Sequence, residues 1–197
     1  MPSAGELFHA AFGSPDPATE EGLPPDLPVW RLNRDVVGAG YFLDRYLYMF
    51  GPGLERLHEA LDAWSFLVPP RTAERTILGY NMHGCIVVLE SLKHVEIRIL
   101  NPLTVQWWSD GNCNLISLLG RWMPQRLLPR FFDLEVYEEW RKRTGRHLKP
   151  NHILGMGVPL ALDGKMTPKN FAEQDIVEYY QEAAPGYEEA FAAMRKK

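Results

Sequence analysis

The residue that most invites a chemical role is Cys85, which follows His83 and Gly84 at the head of an apolar run. A thiol beside an imidazole is the raw material of a nucleophilic site, in which a base takes the proton and a third group orients the base. No G-x-S-x-G elbow accompanies it, and a cysteine leading into Ile86, Val87, Val88 and Leu89 reads more simply as a turn followed by a core residue. The histidines are His9, His58, His83, His94, His147 and His152. A metal site wants ligands at fixed local spacing, such as a pair one helical turn apart, and none of the six has it. His147 and His152 flank Pro150 in a stretch that reads as loop. Gly155-Met156-Gly157 lacks the third glycine and the strand-to-helix setting of a dinucleotide fingerprint. The reading assigns no catalytic residue, no cofactor and no metal.

What remains is the chemistry of recognition. Trp107 and Trp108 are consecutive, so in a strand they face opposite sides. One then belongs to the core, and the other is exposed or covered by a neighbouring element. An exposed tryptophan beside Asp110 makes a protein-binding anchor, because aromatics dominate interface hot spots; both rings packing inside is the alternative. Glu173 and Glu178 open an acidic C-terminal region that is either a solvated face or the mate of a basic partner.

These residues need a scaffold, and the composition supplies one. The chain has 197 residues, 46% hydrophobic and 12% aromatic, enough for a sizeable core in one domain or two small ones. A net charge of −4 argues against nucleic acid as a direct partner, since phosphate binding needs a basic footprint. Cys85 and Cys113 have no local spacing motif, so neither a disulfide framework nor a zinc site is expected. The opening MPSAGELFHAAFG has no basic n-region or long apolar h-region, and no window approaches the ~18 apolar residues of a membrane helix. These features predict a cytoplasmic protein with reduced thiols.

The organising stretch runs from Arg75 to Thr104. Val95, Ile97 and Ile99 alternate with Glu96 and Arg98, the mark of a half-buried strand, and the unbroken run from Cys85 to Leu89 predicts a strand covered on both faces. Residues 38–50 read as a hairpin turning at Asp44 and Arg45, and Pro102 to Trp108 as a further strand. Ser3 is placed to cap a first helix closed by Gly13, and Leu54, Leu57, Leu61 and Trp64 mark another. Asn112 or Asn114 is expected to cap a helix through Trp122, and Asp133 one from Leu134 to Thr144. Residues 147–164 read as a long loop, followed by a helix from Lys169 to about Ala184, a break at Pro185-Gly186 and a last short helix. The fold class expected is α+β, a central antiparallel β-sheet with helices packed around it. The organisation expected is an N-terminal helix and proline-rich acidic arm (1–30), a sheet-and-helix domain (31–125) and a mainly helical C-terminal domain (126–197), the last two allowed to form one unit.

From residue 131 onward the order of features resembles the C-terminal domain of a bacterial family of type VI secretion immunity proteins. The matching features are the basic helix end from Arg141 to Gly145, the segment Val158-Pro159-Leu160-Ala161-Leu162-Asp163-Gly164, and Asn170 near the next element's start. Where the family carries Gly-Gly, this chain has Asp163-Gly164. The run from Tyr46 to Pro52 before a helix ending at Trp64, then Ile77-Leu78-Gly79, is similar to the partner GAD-like domain of that Tdi-type family. Leu100-Asn101-Pro102-Leu103-Thr104 carries a broader likeness to the SMI/KNR-type immunity group. The resemblance covers most of residues 38–182 and brings no catalytic residues. It implies a cytoplasmic immunity protein that binds a cognate secreted toxin, such as a nuclease or ADP-ribosyltransferase, and occludes its active site. A non-catalytic cytosolic adaptor is the alternative, and a hydrolase using Cys85 the more distant one. The partner-facing residues expected are Asp44, Trp107, Trp108, Asp110, Glu173 and Glu178, with neither nucleic acid nor membrane as partner.

Overall fold

The computed structural model describes residues 1–16, 37–69, 74–91, 95–111 and 113–194. Most of the expected proline-rich arm, His94 and the cap at Asn112 lie outside the described residues.

The alternating and β-branched runs of the middle of the chain form one antiparallel sheet of six strands in sequence order. They are β1 (Gly40–Phe42), β2 (Leu47–Met49), β3 (Glu74–Asn81), β4 (Ile86–Ser91), β5 (Val95–Asn101) and β6 (Gln106–Ser109). Each strand pairs with its sequence neighbour, so β1 and β6 are the two edges. The pleat divides the apolar residues between two cores. Val87, Leu89, Ile97 and Ile99 enter one, with Phe8, Phe131, Trp140 and Leu154. Ile86, Val88 and Leu100 enter the other, with Trp64, Ile153, Tyr180 and Tyr187. A bulge in β3, where the pairing steps from Ile77↔Val88 to Gly79↔Val87, returns Tyr80 to the face that Ile77 serves. A Cβ on Gly79 would meet the Tyr48 carbonyl and the Met49 side chain, which is why glycine stands there.

Helices cover both faces, and the fold is α+β. Helix α1 (Ala4–Phe12) starts at a reciprocal cap between Ser3 and Glu6 and packs Phe8 and Phe12 on the first core. Helix α2 (Leu57–Ala63) and the long α5 (Ile176–Met194) pack together on the second, where the buried Trp64 indole donates to the Tyr180 carbonyl at 3.0 Å. The short α3 (Leu115–Ser117), capped by Asn114, continues as a π-helical turn over Leu118–Trp122. Helix α4 (Glu135–Thr144) buries Val136, Tyr137 and Trp140. Strands β7 (His152–Met156) and β8 (Phe171–Asp175) form a separate two-stranded sheet.

The β3–β4 turn ties these layers together. The buried Asn81 amide accepts from the His83 and Cys85 backbone N–H groups at 3.0 and 2.9 Å and donates to the Phe131 carbonyl at 2.7 Å. Tyr180 of α5 donates to the Gly84 carbonyl at 2.7 Å, and the Leu154 N–H of β7 to the Met82 carbonyl at 2.7 Å. Both cores therefore draw on residues from either side of position 125.

Several local expectations are corrected. The stretch expected as a loop contains β7, and the expected start of the following helix is instead a 3₁₀ turn (Pro168–Asn170) and β8. These short strands pair only with each other, and their apolar residues pack under α5 and α4, which no local period reveals. Helix α5 runs through Pro185 without a break. Pro185 and Gly186 are exposed while Ala184 and Tyr187 are buried, so packing offsets the ~3 kcal/mol that an interior proline costs. Asp133 does not cap α4: Leu134 holds that position with no side-chain cap, and Asp133 pairs with Arg130 at 2.9 Å. The strand expected from Pro102 begins only at Gln106, because the Asn101 side chain accepts from the Leu103 and Thr104 N–H groups and turns the chain.

Candidate partner interface

The two edges of the sheet hold four of the six expected partner-facing residues, and they are built differently. At the β1 edge, the β1–β2 turn places Leu43, Asp44 and Arg45 at φ of 50°, 56° and 65°, three successive left-handed residues of which none is glycine. Such backbone costs about 1–2 kcal/mol per residue and persists only where the surroundings hold it. Here they do. Tyr137 of α4 donates to the Asp44 carbonyl at 2.7 Å, and the Asp44 carboxylate pairs with Arg141. Arg45 pairs with Asp16 at 2.8 Å, and Asp16 bridges to Tyr41 on the outer side of β1. Three guanidinium groups stand over rings: Arg45 over Tyr41 at 5.4 Å, Arg141 over Tyr137 at 5.8 Å and Arg146 over Trp140 at 5.2 Å. Gly145, left-handed at φ 67°, closes α4 and leads to Arg146, whose guanidinium pairs with Glu173 on β8. Burial alone would raise the Glu173 carboxyl; hydrogen bonds from Arg146 and the Lys149 N–H outweigh it and hold the group below the usual carboxylate range. His147 lies 3.8 Å from Asp44, and burial together with the Arg141 and Arg45 charges lowers its affinity for a proton. Asp44 and Glu173 are each already engaged by an arginine of the same chain, Arg141 and Arg146 respectively.

The β6 edge carries Trp107 and Trp108 on opposite faces, as their adjacency requires, and each is half-buried. The Trp108 ring packs against Trp122 at 5.5 Å. Trp107 lies under the Arg75 guanidinium at 5.5 Å. Arg75 belongs to a buried ion network on β3, β4 and β5. It pairs with Glu90 at 2.7 Å, Arg98 bridges Glu90 and Glu96 at 3.3 and 2.9 Å, and Ser109 of β6 donates to Glu96 at 3.2 Å. With Arg75 and Glu90 only 4% and 5% exposed at the side chain, this network fixes the strands and the indole above them. Asp110 is half-buried past the end of β6, and its carbonyl accepts from the Cys113 N–H at 2.8 Å. Ile116, in the short helix that follows, is 75% exposed. Glu178 sits apart from both edges, exposed on the first turn of α5.

The other candidates of the sequence are structural. Cys85 is fully buried and burial pushes its thiol up to about 12, whereas a nucleophilic cysteine needs the opposite shift. His83 is also fully buried; its Nε2 lies 2.8 Å from the Asp133 carbonyl, and burial depresses its proton affinity. His152 turns to the Pro150 carbonyl at 2.9 Å, away from any shared site with His147. Gly155 lies in β7, where a Cβ would meet Gln174 and Tyr179. A cleft of about 420 Å³ opens at the start of α4 between Arg126, Arg130, Phe132, Glu135, Glu138 and Met166, with charges of both signs in its lining. Among the described residues no group of three or more His, Cys, Asp or Glu side chains could hold a metal ion, and no helix is long and apolar enough to cross a membrane.

Sequence reasoning missed the partners that hold the β1 edge, Asp16, Arg45, Tyr137 and His147, and the Arg146 that holds Glu173. The basic run from Arg141 to Arg143 was visible, but only as a favourable helix end. Ile116 carried no signal, since one apolar residue in a short helix is ordinary.

No protein-family profile matches the chain, and no curated protein matches it in sequence. Among solved structures, the crystal structure of Atu4351 from Agrobacterium tumefaciens aligns with a TM-score of 0.62 over 91% of this chain and 87% of that one, at 14% identity. The two proteins share a fold.

Proposed function

We propose that this chain is a cytoplasmic immunity protein of the type VI secretion kind, which binds a cognate antibacterial toxin and neutralises it by covering its active site. The observation that carries the reading is the β6 edge. Two half-buried tryptophans lie on opposite faces, each ring backed by packed groups and partly open to solvent, with an exposed isoleucine in the helix that follows. Rigid aromatics whose inner sides are already packed lose little freedom on binding, which is what an anchor residue needs. The resemblance to immunity proteins over most of residues 38–182 supports the same reading, as does the structural character of the residues that first suggested chemistry. The toxin is a secreted protein such as a nuclease or ADP-ribosyltransferase, and inhibition is by occlusion.

Co-expression tests this. Each product encoded beside this chain is produced in a bacterial host alone and together with it. The expected result is growth arrest by one of them, relieved by this chain, with the two recovered as a stoichiometric complex. Toxicity that the chain leaves untouched, together with recovery of only resident non-toxic partners, would replace the immunity reading by an adaptor.

A further inference from the structure

We propose that β6 is a docking edge: an extended segment of the protein partner adds to the sheet as a further strand beside β6 and is gripped on its two faces by Trp107 and Trp108. The inference rests on the reading above for the partner's identity, while the mode of binding stands on the geometry of the edge.

β6 is last in the sheet order, and among the described residues no backbone hydrogen bond reaches its outer side. Folded proteins guard such edges with charges, prolines or bulges, because an open ladder pairs with any strand that arrives. The opposite edge is guarded: Asp16 pairs with the outer side of Tyr41 in β1. β6 is short but carries no charge, proline or bulge of its own. Gln106, Trp107, Trp108 and Ser109 are uncharged, none is proline, and their register against β5 runs without a bulge from Asn101↔Gln106 to Arg98↔Ser109. The neighbouring charges are consumed, since Glu96 is held by Arg98 and Ser109.

An added strand would find main-chain donors and acceptors along the edge, and alternate side chains would fall beside one indole or the other. The partner segment is therefore extended, with uncharged side chains at the positions facing the rings. A second copy of this chain fits less well. Edge-to-edge pairing of two four-residue strands joins too little surface for a stable dimer, which needs on the order of 1,000 Å².

Hydrogen exchange of the β6 amides tests the mode with a synthetic probe, a peptide of alternating valine and threonine, and the same peptide N-methylated at alternate amides. The outward amides of β6 are expected to exchange fast in the free chain and to slow with the unmodified peptide but not the methylated one. Gln106→Pro, at the first strand position where proline is tolerated, should weaken the peptide by up to about tenfold through the one backbone donor it removes. Gln106→Lys, an exposed substitution, guards the edge without touching the ladder and should weaken it in the same direction. Amides already protected in the free chain, or protection by the peptide anywhere but β6, would overturn the proposal. So would protection that rises with the chain's own concentration, which would give the edge to a second copy. A chain that rescues cells yet fails here keeps its immunity function and loses this mode of binding; one that binds the peptide here yet rescues no cell keeps the mode and loses the function.

Discussion

The two edges of the sheet solve the same problem in opposite ways. At the β1 edge, polar groups close the sheet: Asp16 pairs with the strand, Arg45 with Asp16, and α4 clamps the turn through Tyr137 and Arg141. At the β6 edge, two indoles sit above and below a ladder open among the described residues, and the nearby Arg75, Glu90, Arg98 and Glu96 pair with one another, the first two buried. The contrast separates charge used to finish a fold from aromatic surface left for something else. An ion pair 4–5% exposed, such as Arg75–Glu90, cannot serve a partner, and the more exposed pairs around Asp44 are spent on a turn whose backbone needs them.

The contrast can be broken most directly with tryptophan. Trp140, 5% exposed behind the β1 edge, should cost about 3–5 kcal/mol when replaced by alanine, read from urea unfolding. Trp108→Ala should cost less, because part of the ring already meets solvent, and should cost the complex with the proposed partner at least as much. Equal losses of stability at the two sites would make the β6 edge an ordinary part of the core. Trp108 also packs on Trp122, so the loss of binding must be compared with that of a variant equally destabilised elsewhere.

Asp44→Asn sharpens the other side of the comparison. Asparagine tolerates the left-handed backbone, so the substitution removes the charge facing Arg141 and His147 and little else. The cost should be within about 1 kcal/mol, since the pair is well exposed, and binding should stay unchanged if β6 is the docking edge. A large loss of binding with stability kept would move the interface to β1.

The smallest effect is in the pH dependence. His83 and His147 both hold a proton less readily in the folded chain than the ordinary value of 6.5. As pH falls through about 6.5 the unfolded chain takes up protons that the folded chain refuses, so stability is present above that range and is lost below it. His147→Gln should flatten the part of the slope that belongs to the β1 edge and leave the part due to the buried His83. An unchanged slope in that variant would assign the whole dependence to the core.

Much of the sheet was legible because its signals are local. The hairpin turning at Asp44 and Arg45, the strands on either side of the Asn81–Gly84 turn and the opposite facing of Trp107 and Trp108 follow from alternation, turn chemistry and the two-residue period of a strand. The short strands β7 and β8 were not legible, since each is defined by the other across fifteen or more positions of the chain. Pro185 misled for a related reason: its local cost is real, but the packing of Ala184 and Tyr187 in the second core outweighs it.

By itself, then, the sequence determined the class of fold, the central sheet and the opposite facing of two adjacent tryptophans, because side-chain period and residue type act over a few positions. Only the tertiary structure decided that Cys85 and His83 are core residues, that Asp44 is held by Arg141 and Glu173 by Arg146, and that β6 is an edge while β4 is not. Burial, ion pairing and edge position are properties of what lies across the fold from a residue, and a chain read in order does not contain them.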